Sequence, residues 1–244
     1  MSGLPLVTIV IPFYNCPYID QAIASALEQQ YPNLEIIVVD DGSTRYQDRI
    51  APYLDRISYL GKANGGTATA LNHGFRMASG RYIAWLSSDD WLYPDKIAQQ
   101  VHFMQQHQLQ ISYTDFHGMN EHGAITHLNQ TIKFSNECAF IEAFKSFNPI
   151  NGCTVMMTKD LFFAIGGFDE KLLYTHDYDA WIRILLAGQR IGYLNLPLTK
   201  YRWHANMGSR KHRPVISAEI KAIRARTRGP LTQLLKRYRQ IGRC

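Results

Sequence analysis

The chain has 244 residues, 46% of them hydrophobic, and a formal net charge of +6; this is enough apolar sequence for one sizeable core or two fused half-domains. No signal peptide is expected, since the first residues lack a basic segment and their apolar run stops at Pro12, and no later segment is apolar enough to span a bilayer. The cysteines Cys16, Cys138, Cys153 and Cys244 include no closely spaced pair, which predicts free thiols in the cytoplasm rather than a zinc site or a disulfide framework.

Strand and helix patterns alternate through the first half of the chain. Buried strands are predicted at residues 6–12, 34–39, 57–60 and 82–86. Helices are predicted between them at residues 18–30, 67–79 and 95–107. This alternation predicts an α/β fold with a parallel, doubly wound sheet.

The second half is less regular. Strands are predicted at residues 110–113 and 154–157, and helices near 139–147 and 177–187. Gly188 is a typical helix stop. Gly229-Pro230 predicts a break between two basic helical segments near the end of the chain.

Two pairs of adjacent aspartates follow predicted strands. Asp40 and Asp41 end an isoleucine- and valine-rich run, and Asp89 and Asp90 follow the strand at 82–86. Adjacent carboxylates raise each other's pKa unless a cation or strong donors compensate. At the carboxyl ends of parallel strands, that compensation is usually a divalent metal on a phosphorylated ligand. Ordinary turn or capping chemistry is the alternative for each pair, and it is less favoured for both pairs together.

An aromatic residue and several amides accompany these carboxylates. Tyr14 follows Pro12 just past the first strand, so its ring can stack on a nucleobase while Asp41 accepts the imide N–H of uracil. Asn64 and Gly66 lie where the second helix begins, and backbone N–H groups there suit phosphate or ribose. The alternative for Tyr14 is a loop aromatic that covers the core.

Nine short motifs occur in order along the chain. The first six are Pro12-x-Tyr14-Asn15, Ser25-x-Leu27-x-Gln29, Asp40-Asp41-Gly42-Ser43, Asn64-x-Gly66, Ala70-x-Asn72-x-Gly74 and Ser88-Asp89-Asp90. The last three are Gly166-Gly167-Phe168-Asp169-Glu170, His176-Asp177-Tyr178-Asp179-Ala180-Trp181-Ile182-Arg183 and Tyr201-Arg202-Trp203-His204. As an ordered set over roughly residues 5–209 they strongly resemble the family 2 glycosyltransferases of the GT-A fold.

The resemblance implies an architecture. A Rossmann-like, mostly parallel sheet flanked by helices is expected, with a smaller mixed acceptor-side region and a C-terminal helical appendage. Residues 1–200 would form one catalytic domain, with a nucleotide-sugar-binding half at 1–110 and an acceptor half at 111–200. Residues 201–244 would form a basic helical tail.

The resemblance also implies roles for single residues. Tyr14 and Asp41 would hold the base of a nucleotide-sugar, expected to be uracil, and Asp89 would bind ribose or share the metal. Asp90 would be the principal protein ligand of Mg²⁺ or Mn²⁺. His204 would help to bind the metal or the diphosphate, and a structural role is the alternative for a single histidine. Asp177 would be the catalytic base. The remaining donor-binding residues would be Pro12, Asn64, Gly66 and Asn72.

The implied reaction is inverting transfer of a sugar from a nucleotide-diphosphate sugar to a hydroxyl of a glycan or lipid-linked acceptor, as in bacterial polysaccharide or O-antigen assembly. A base takes the hydroxyl proton, and no covalent intermediate is needed. His176 stands where members commonly have Glu, which puts substrate preference in doubt more than activity. The Gln-x-x-Arg-Trp sequence of processive synthases is absent, so the enzyme is expected to add one sugar or a few.

Three alternatives stay open. A non-catalytic nucleotide-sugar-binding or scaffold subunit is one, although intact Asp89, Asp90 and Asp177 disfavour it. A nucleotidyltransferase is another, but residues 12–20 lack the basic Gly-rich loop that it needs. Thr175 could also cap a helix and leave Asp177 in the first turn for structural reasons alone.

The basic charge lies at the C-terminal end. Residues 200–244 hold 13 Lys and Arg against one acidic residue, Glu219, a net charge of +12, which leaves −6 for residues 1–199. We expect no nucleic-acid partner. Within 231–243, apolar residues at helical spacing predict either peripheral contact with an anionic membrane or packing on the acidic body or on a second subunit of a homodimer. These residues are Leu231, Leu234, Leu235, Tyr238 and Ile241.

Overall fold

One mixed sheet runs through the computed structural model, which describes residues 3–205 and 207–244. Within these residues the sheet has nine strands. They are β1 Val7–Phe13, β2 Leu34–Asp40, β3 Ser58–Gly61, β4 Tyr82–Trp85, β5 Trp91–Leu92, β6 Ile111–Met119, β7 Ile125–His127, β8 Met156–Thr158 and β9 Ile191–Arg202. Their order is β3-β2-β1-β4-β8-β6-β9-β5, with β7 paired to β6.

Parallel pairing organises the first half of the sheet. β1 lies between β2 and β4 and is parallel to both, and β3 extends this group beyond β2. β8 then runs antiparallel between β4 and β6, whereas β6 and β9 are parallel to each other. The sheet therefore joins a parallel, Rossmann-like group of four strands to a mixed group of five strands, and the α/β fold is as predicted.

Helices cover both faces of the sheet. They are α1 Ile19–Leu27, α2 Thr67–Met77, α3 Lys96–Gln106, α4 Glu137–Ala143, α5 Lys159–Ala164, α6 His176–Leu186, α7 Gly208–Lys211 and α8 Arg213–Gln240. Val10 of β1 belongs to the apolar cluster formed with α2, α4, α5, α6 and α8. Ile9 and Ile11 belong to the cluster formed with α1 and α3. A strand covered on both sides explains the continuous apolar run in β1.

Close packing of α2 fixes the loop that precedes it. A Cβ at Gly74 would lie 2.4 Å from Val10 Cγ1 and 3.0 Å from Val39 Cγ2, so only glycine allows this approach. Since α2 returns along the sheet from the end of β3, its start lies at the edge where β1 and β2 end. The loop at residues 62–66 is thereby held next to both strand ends.

The C-terminal helix α8 continues through Gly229-Pro230, so the predicted break at this point is wrong. Proline inside a helix costs about 3 kcal/mol, but both residues are exposed and Pro230 contacts solvent rather than the core. In the same helix, Ile223, Leu231 and Leu235 are buried at 0–3% exposure. Burial of three such side chains offsets the cost of the proline, at about 1.5–3 kcal/mol each.

The apolar stripe of α8 packs on the body of the chain. Leu231, Leu234, Leu235 and Tyr238 belong to the same cluster as α4 and α6, whereas Ile241 is 65% exposed. Packing was one of the two predicted fates of this stripe, and it leaves these four side chains unable to enter a membrane. The predicted boundary at residue 200 lies inside β9, so we treat α8 as part of the same structural unit. Among the described residues, no helix has the length and apolar character to cross a bilayer.

A disulfide joins Cys138 of α4 to Cys244, with Cα atoms 5.2 Å apart. The prediction of four free thiols is therefore wrong for these two residues and correct for Cys16 and Cys153. Packing of α8 on α4 brings the two cysteines together across 106 residues of sequence. Cysteine spacing carries no signal for a pair formed in this way.

Candidate active site

A cavity of about 1000 Å³ opens at the carboxyl ends of β1, β2 and β4. Ligands of open α/β sheets bind at this edge. Its walls include Pro12, Tyr14, Asp41, Asn64, Gly66, Asp89 and His204, all of which the sequence predicts as site residues. Three other predicted site residues, Asn72, Asp90 and Asp177, are not among the residues that line it.

Asp41 organises the loop before α2. Its carboxylate accepts hydrogen bonds from the backbone N–H groups of Gly65 at 3.0 Å and Gly66 at 2.7 Å. The Lys62 ammonium and the Asn64 amide also donate to it. Asp41 is therefore a compensated carboxylate, 3% exposed, with an edge on the cavity. A uracil imide would have to share or displace one of these donors.

Asp40 has the structural role that turn chemistry predicts. Its carboxylate accepts from the Ser43 N–H at 2.7 Å, from the Gln47 amide at 2.9 Å and from the Tyr59 hydroxyl. Burial opposes its ionisation, but these hydrogen bonds prevail and lower the pKa of Asp40. In the first aspartate pair, Asp40 therefore stabilises a turn and Asp41 forms part of the cavity wall.

Tyr14 is 55% exposed and forms part of the cavity wall. This exposure excludes the alternative in which its ring covers the core. Arg45 and Tyr46 line the same side of the cavity, with the Arg45 guanidinium 5.6 Å from the Tyr46 ring centroid. Nothing in the local sequence pattern distinguishes Arg45 from a solvated arginine, so its place on the cavity wall was not predicted.

Asp89 and His204 form a pair on the cavity wall. His204 Nε2 lies 3.0 Å from Asp89 Oδ2, although the two residues are 115 positions apart in sequence. β9 ends at Arg202, and this brings His204 over the loop that follows β4. Tyr18 contacts the imidazole edge-on at 5.5 Å between ring centroids. The pair offers one carboxylate and one imidazole to a ligand.

Asp90 lies beneath the cavity rather than in it. It is 1% exposed, and its Oδ1 accepts from the Arg202 N–H at 2.8 Å. Burial, and then the charge of Asp89, raises the pKa of Asp90 well above its usual range. Asp90 is therefore not part of the cavity wall, and its assignment as the principal metal ligand stays a prediction. A turn closed by the Asp90 N–H and the Ser87 carbonyl directs Asp89 outward and Asp90 inward.

Arg202 joins three segments of the chain and was given no role from sequence. Its guanidinium donates to the Asp89 carbonyl at 2.7 Å, to the Gln21 side chain at 2.7 Å and to the Glu121 carbonyl at 3.0 Å. The same group lies 4.2 Å from the Tyr18 ring centroid. A buried arginine with this many acceptors fixes the loop that carries Asp89. The Tyr201-Arg202-Trp203-His204 motif was the sequence signal that could have identified Arg202 as a site residue.

Asn72 serves the fold. Its amide donates to the Phe168 carbonyl and to Glu170, both at 2.9 Å, and it accepts from the Phe168 N–H at 3.0 Å. It is 6% exposed and directed away from the cavity. Position on α2 directs this side chain toward the loop at 166–170, and the predicted contact between Asn72 and the donor stays a prediction.

Asp177 lies in the first turn of α6 and is partly exposed. Its Oδ2 accepts from the Asn148 amide at 2.8 Å and its Oδ1 from the Tyr178 N–H at 2.7 Å. Desolvation raises the pKa of Asp177 to about 6. Such a carboxyl group is ionised at neutral pH and is basic enough to accept a proton.

His176 departs from the implied Glu. It is buried between Trp85 and Phe168, at 5.6 Å and 5.0 Å between ring centroids. Burial lowers the pKa of His176 to about 4, so the ring is neutral at physiological pH. It packs in the core and does not face the cavity.

The C-terminal segment completes the site. Met207, Gly208, Lys211 and His212 line the cavity together with Tyr174. Glu219 of α8 accepts from the N–H groups of Leu173 and Tyr174 and from the Thr175 hydroxyl. Thr175 therefore makes no side-chain cap on α6. The one acidic residue of the tail holds the segment that leads into α6.

The donor set limits how a metal can bind. No group of three or more His, Cys, Asp and Glu side chains in the described part of the chain is arranged to hold a metal ion. Asp89 and His204 supply one carboxylate and one imidazole. Mg²⁺ is commonly held by one or two carboxylates together with substrate phosphates. The residues present fit an ion shared with a bound diphosphate rather than a self-contained metal centre.

A family model described as Glycosyl transferase family 2 matches residues 8–162. An uncharacterized glycosyltransferase of Rickettsia prowazekii is 40% identical over 207 residues, which cover 82% of this chain and 65% of that protein. WfaP of Escherichia coli, a UDP-Glc:alpha-D-GlcNAc-diphosphoundecaprenol beta-1,3-glucosyltransferase, is 33% identical over 206 residues, 83% of this chain and 79% of WfaP. A second uncharacterized glycosyltransferase, from Rickettsia typhi, is matched over 59% of its length. The chain therefore spans less than two thirds of each of these two Rickettsia proteins.

Solved structures share the architecture. Staphylococcus aureus TarS 1-349 in complex with UDP-GlcNAc matches with a TM-score of 0.73 and 18% identity, over 96% of this chain and 72% of that chain. The complex of the same protein with UDP gives a TM-score of 0.70 at 19% identity, over 96% of this chain and 71% of that chain. At this level of identity the likeness establishes a common fold and nothing more.

Proposed function

This chain belongs to glycosyl transferase family 2 and has the predicted GT-A fold, and we propose that it transfers a sugar from a UDP-sugar to a hydroxyl acceptor during glycan assembly. The observation that carries the proposal is the cavity at the strand ends. There an exposed aromatic ring, a compensated carboxylate and the Asp89–His204 pair face one another.

Three features support UDP as the donor nucleotide. Tyr14 offers a ring face for a base, and Asp41 offers a carboxylate edge for an imide N–H. WfaP is named for UDP-Glc, and TarS was solved with UDP-GlcNAc. By analogy we assign the base to the Tyr14 and Asp41 side of the cavity and the diphosphate to the Asp89 and His204 side.

We propose Asp89 and His204 as the protein ligands of a divalent ion, Mg²⁺ or Mn²⁺, in place of Asp90. Asp89 presents its carboxylate to the cavity, whereas Asp90 is 1% exposed and its Oδ1 accepts from the Arg202 N–H. When bound, the ion would neutralise negative charge on the departing diphosphate. Arg45 and Lys211 line the same cavity and contribute further positive charge there.

Asp177 is the proposed base. The carboxylate can take the proton from an acceptor hydroxyl while that oxygen attacks the anomeric carbon from the side opposite the diphosphate. One C–O bond then forms as the bond to the diphosphate breaks, and the anomeric configuration inverts. Its pKa of about 6 keeps Asp177 charged near neutral pH.

For the acceptor we propose a lipid-linked glycan, by analogy with the acceptor printed in the name of WfaP. Peripheral membrane contact remains part of this proposal in a revised form, because the apolar stripe of α8 is buried. Exposed cations on α8 remain available to anionic lipid: Arg213, Arg228, Lys236, Arg237 and Arg239. Salt-sensitive binding to anionic vesicles that Lys236→Glu/Arg237→Glu weakens would support this contact, and equal binding by both proteins would exclude it.

A donor panel tests the proposal. UDP-, GDP- and TDP-sugars are titrated calorimetrically into the protein with and without Mn²⁺, and Asp89→Asn serves as the matched variant. We expect binding of one UDP-sugar that Mn²⁺ strengthens and Asp89→Asn weakens. Donor binding without hydrolysis or transfer would instead support the non-catalytic subunit, and binding of no nucleotide-sugar would reject both.

A further inference from the structure

Asn148 holds the proposed base from a separate segment of the chain. It lies in the connection between α4 and β8, and its Nδ2 donates to Asp177 Oδ2 at 2.8 Å. Its own Oδ1 accepts from the Ile150 N–H at 3.2 Å. A backbone N–H can only donate, so the amide oxygen must face Ile150 and the amide nitrogen must face the carboxylate. The direction of the contact is thus fixed by the network.

The second oxygen of Asp177 is held as well. Oδ1 accepts from the Tyr178 N–H at 2.7 Å, which is part of the first turn of α6. Each oxygen therefore has one donor and keeps lone-pair capacity for an incoming hydroxyl group. Two donors on different segments restrict rotation of the carboxylate about its Cβ–Cγ bond.

No neighbouring charge substitutes for this amide within the part of the chain that the structure describes. His176 is buried and neutral, and the Tyr178 hydroxyl donates to the Phe144 carbonyl. Asp179 is paired with Arg183 and Arg226. On the facing elements, Glu219 accepts hydrogen bonds from residues 173–175. Arg224 interacts with the Tyr178 side chain, and Lys145 forms an ion pair with Glu142.

We propose that Asn148 is a positioning residue for the transfer reaction: its side-chain amide orients the Asp177 carboxylate and favours the charged form of that carboxylate. The proposal rests on the proposed function of Asp177 as the base. A hydrogen bond to the charged form of a carboxyl group opposes the effect of burial on its proton affinity. Without it, Asp177 would hold its proton to higher pH and rotate more freely.

The pH dependence of sugar transfer tests this role. In Asn148→Leu, which keeps the size of the side chain, we expect the acidic limb of the kcat/KM profile to move up by about one pH unit. Below the limb the rate should fall about tenfold further than on the alkaline plateau, where only the freer rotation of the ionised carboxylate lowers it. Asn148→Ser, which keeps a small hydroxyl donor, should show a smaller shift and covers the case in which the leucine variant does not fold.

Asn136→Leu is the matched control. Asn136 also hydrogen-bonds through its side chain, to the Ala139 N–H at the start of α4, but does not contact Asp177. Its profile should keep the wild-type limb. An unshifted limb in both Asn148 variants, or an equal shift in Asn136→Leu, would overturn the proposal.

A second readout does not depend on activity. The carboxyl ¹³C resonance of Asp177 is assigned by its loss in Asp177→Asn and followed through a pH titration of the ligand-free protein. We expect a midpoint about one pH unit higher in Asn148→Leu. If the wild type transferred no sugar from any donor, the proposed function would fail, and this titration would still decide the role of Asn148. An unchanged midpoint would overturn that role.

Discussion

Replacement of Arg202 by lysine tests whether this side chain fixes the loop that carries Asp89. The guanidinium makes hydrogen bonds of 2.7, 2.7 and 3.0 Å to Asp89, Gln21 and Glu121, which lie on three different segments. Lysine keeps the charge, but its compact ammonium group cannot reach three acceptors arranged for a planar fork. We expect two of the three hydrogen bonds to be lost in Arg202→Lys.

The magnitude follows from the burial of the site. Arg202 is 1% exposed, so a shorter lysine side chain leaves a buried cation with fewer acceptors. A hydrogen bond to a charged group contributes about 1.5–3 kcal/mol, so the loss of two predicts a decrease of about 3–6 kcal/mol in the free energy of unfolding. Gln21→Leu removes one acceptor and should cost about 1–3 kcal/mol, which provides a milder variant of the same test.

Urea unfolding followed by circular dichroism measures both changes. Arg213→Lys is the control, because Arg213 is exposed, and it should stay within about 0.5 kcal/mol of the wild type. Calorimetry with UDP and Mn²⁺ on the folded fraction should also show weaker binding in Gln21→Leu. A loss below about 1 kcal/mol in Arg202→Lys, similar to that of Arg213→Lys, would refute the reasoning.

Three further predictions concern the carboxylates, the buried histidine and the disulfide. Asp89→Asn should weaken Mn²⁺-dependent UDP binding about tenfold or more, whereas Asp90→Asn should keep it within about threefold; calorimetry that ranks them in the reverse order would restore Asp90 as the ligand. Burial lowers the pKa of His176 to about 4 in the folded protein. As pH falls below 6.5 this histidine is therefore protonated in the unfolded chain but not in the folded one, and the free energy of unfolding falls by up to about 3 kcal/mol by pH 4. His176→Leu should therefore gain stability relative to the wild type over this range in urea unfolding, and a constant difference would contradict the pKa. Cys244→Ser should lower the free energy of unfolding by about 2–4 kcal/mol, an effect that a reductant reproduces in the wild type and that Cys16→Ser lacks; equal stability of both variants would exclude a formed disulfide.

The sequence was sufficient to predict the parallel half of the fold. β1, β2 and β4 are apolar on both faces, and each ends in the polar residues that line the cavity. Since parallel strands end at one edge, residues as distant as Tyr14 and Asp89 could be brought together from their positions alone. The ordered motifs added His204, which no local pattern would have selected.

The choice between Asp89 and Asp90 could not be read from sequence. Adjacent residues past a strand end have no fixed alternation, and a single turn closed by the Asp90 N–H and Ser87 decides which carboxylate faces the cavity. In the same way, the position of Asn72 on α2 directs its side chain toward the loop at 166–170, which could not be read from sequence. Both outcomes depend on hydrogen bonds between segments that have no periodic signature.

The predicted break in the C-terminal helix was wrong because the local preferences of glycine and proline compete with tertiary packing there. Gly229-Pro230 predicts a break, but burial of Leu231 and Leu235 on α4 and α6 stabilises one continuous helix. The same packing determines that the apolar stripe faces the body and that Cys244 meets Cys138. These contacts join residues roughly 50 to 106 positions apart, distances over which composition and spacing are uninformative.

The product of a single-turnover reaction tests the central claim most directly. The protein is mixed with Mn²⁺, a UDP-sugar selected from the donor panel and a lipid-linked glycan acceptor, and the product is examined by mass spectrometry and NMR. We predict the addition of one sugar with an inverted anomeric configuration, and its loss in Asp177→Asn while calorimetry still detects donor binding. A product of retained configuration, or transfer by Asp177→Asn at the wild-type rate, would contradict the account.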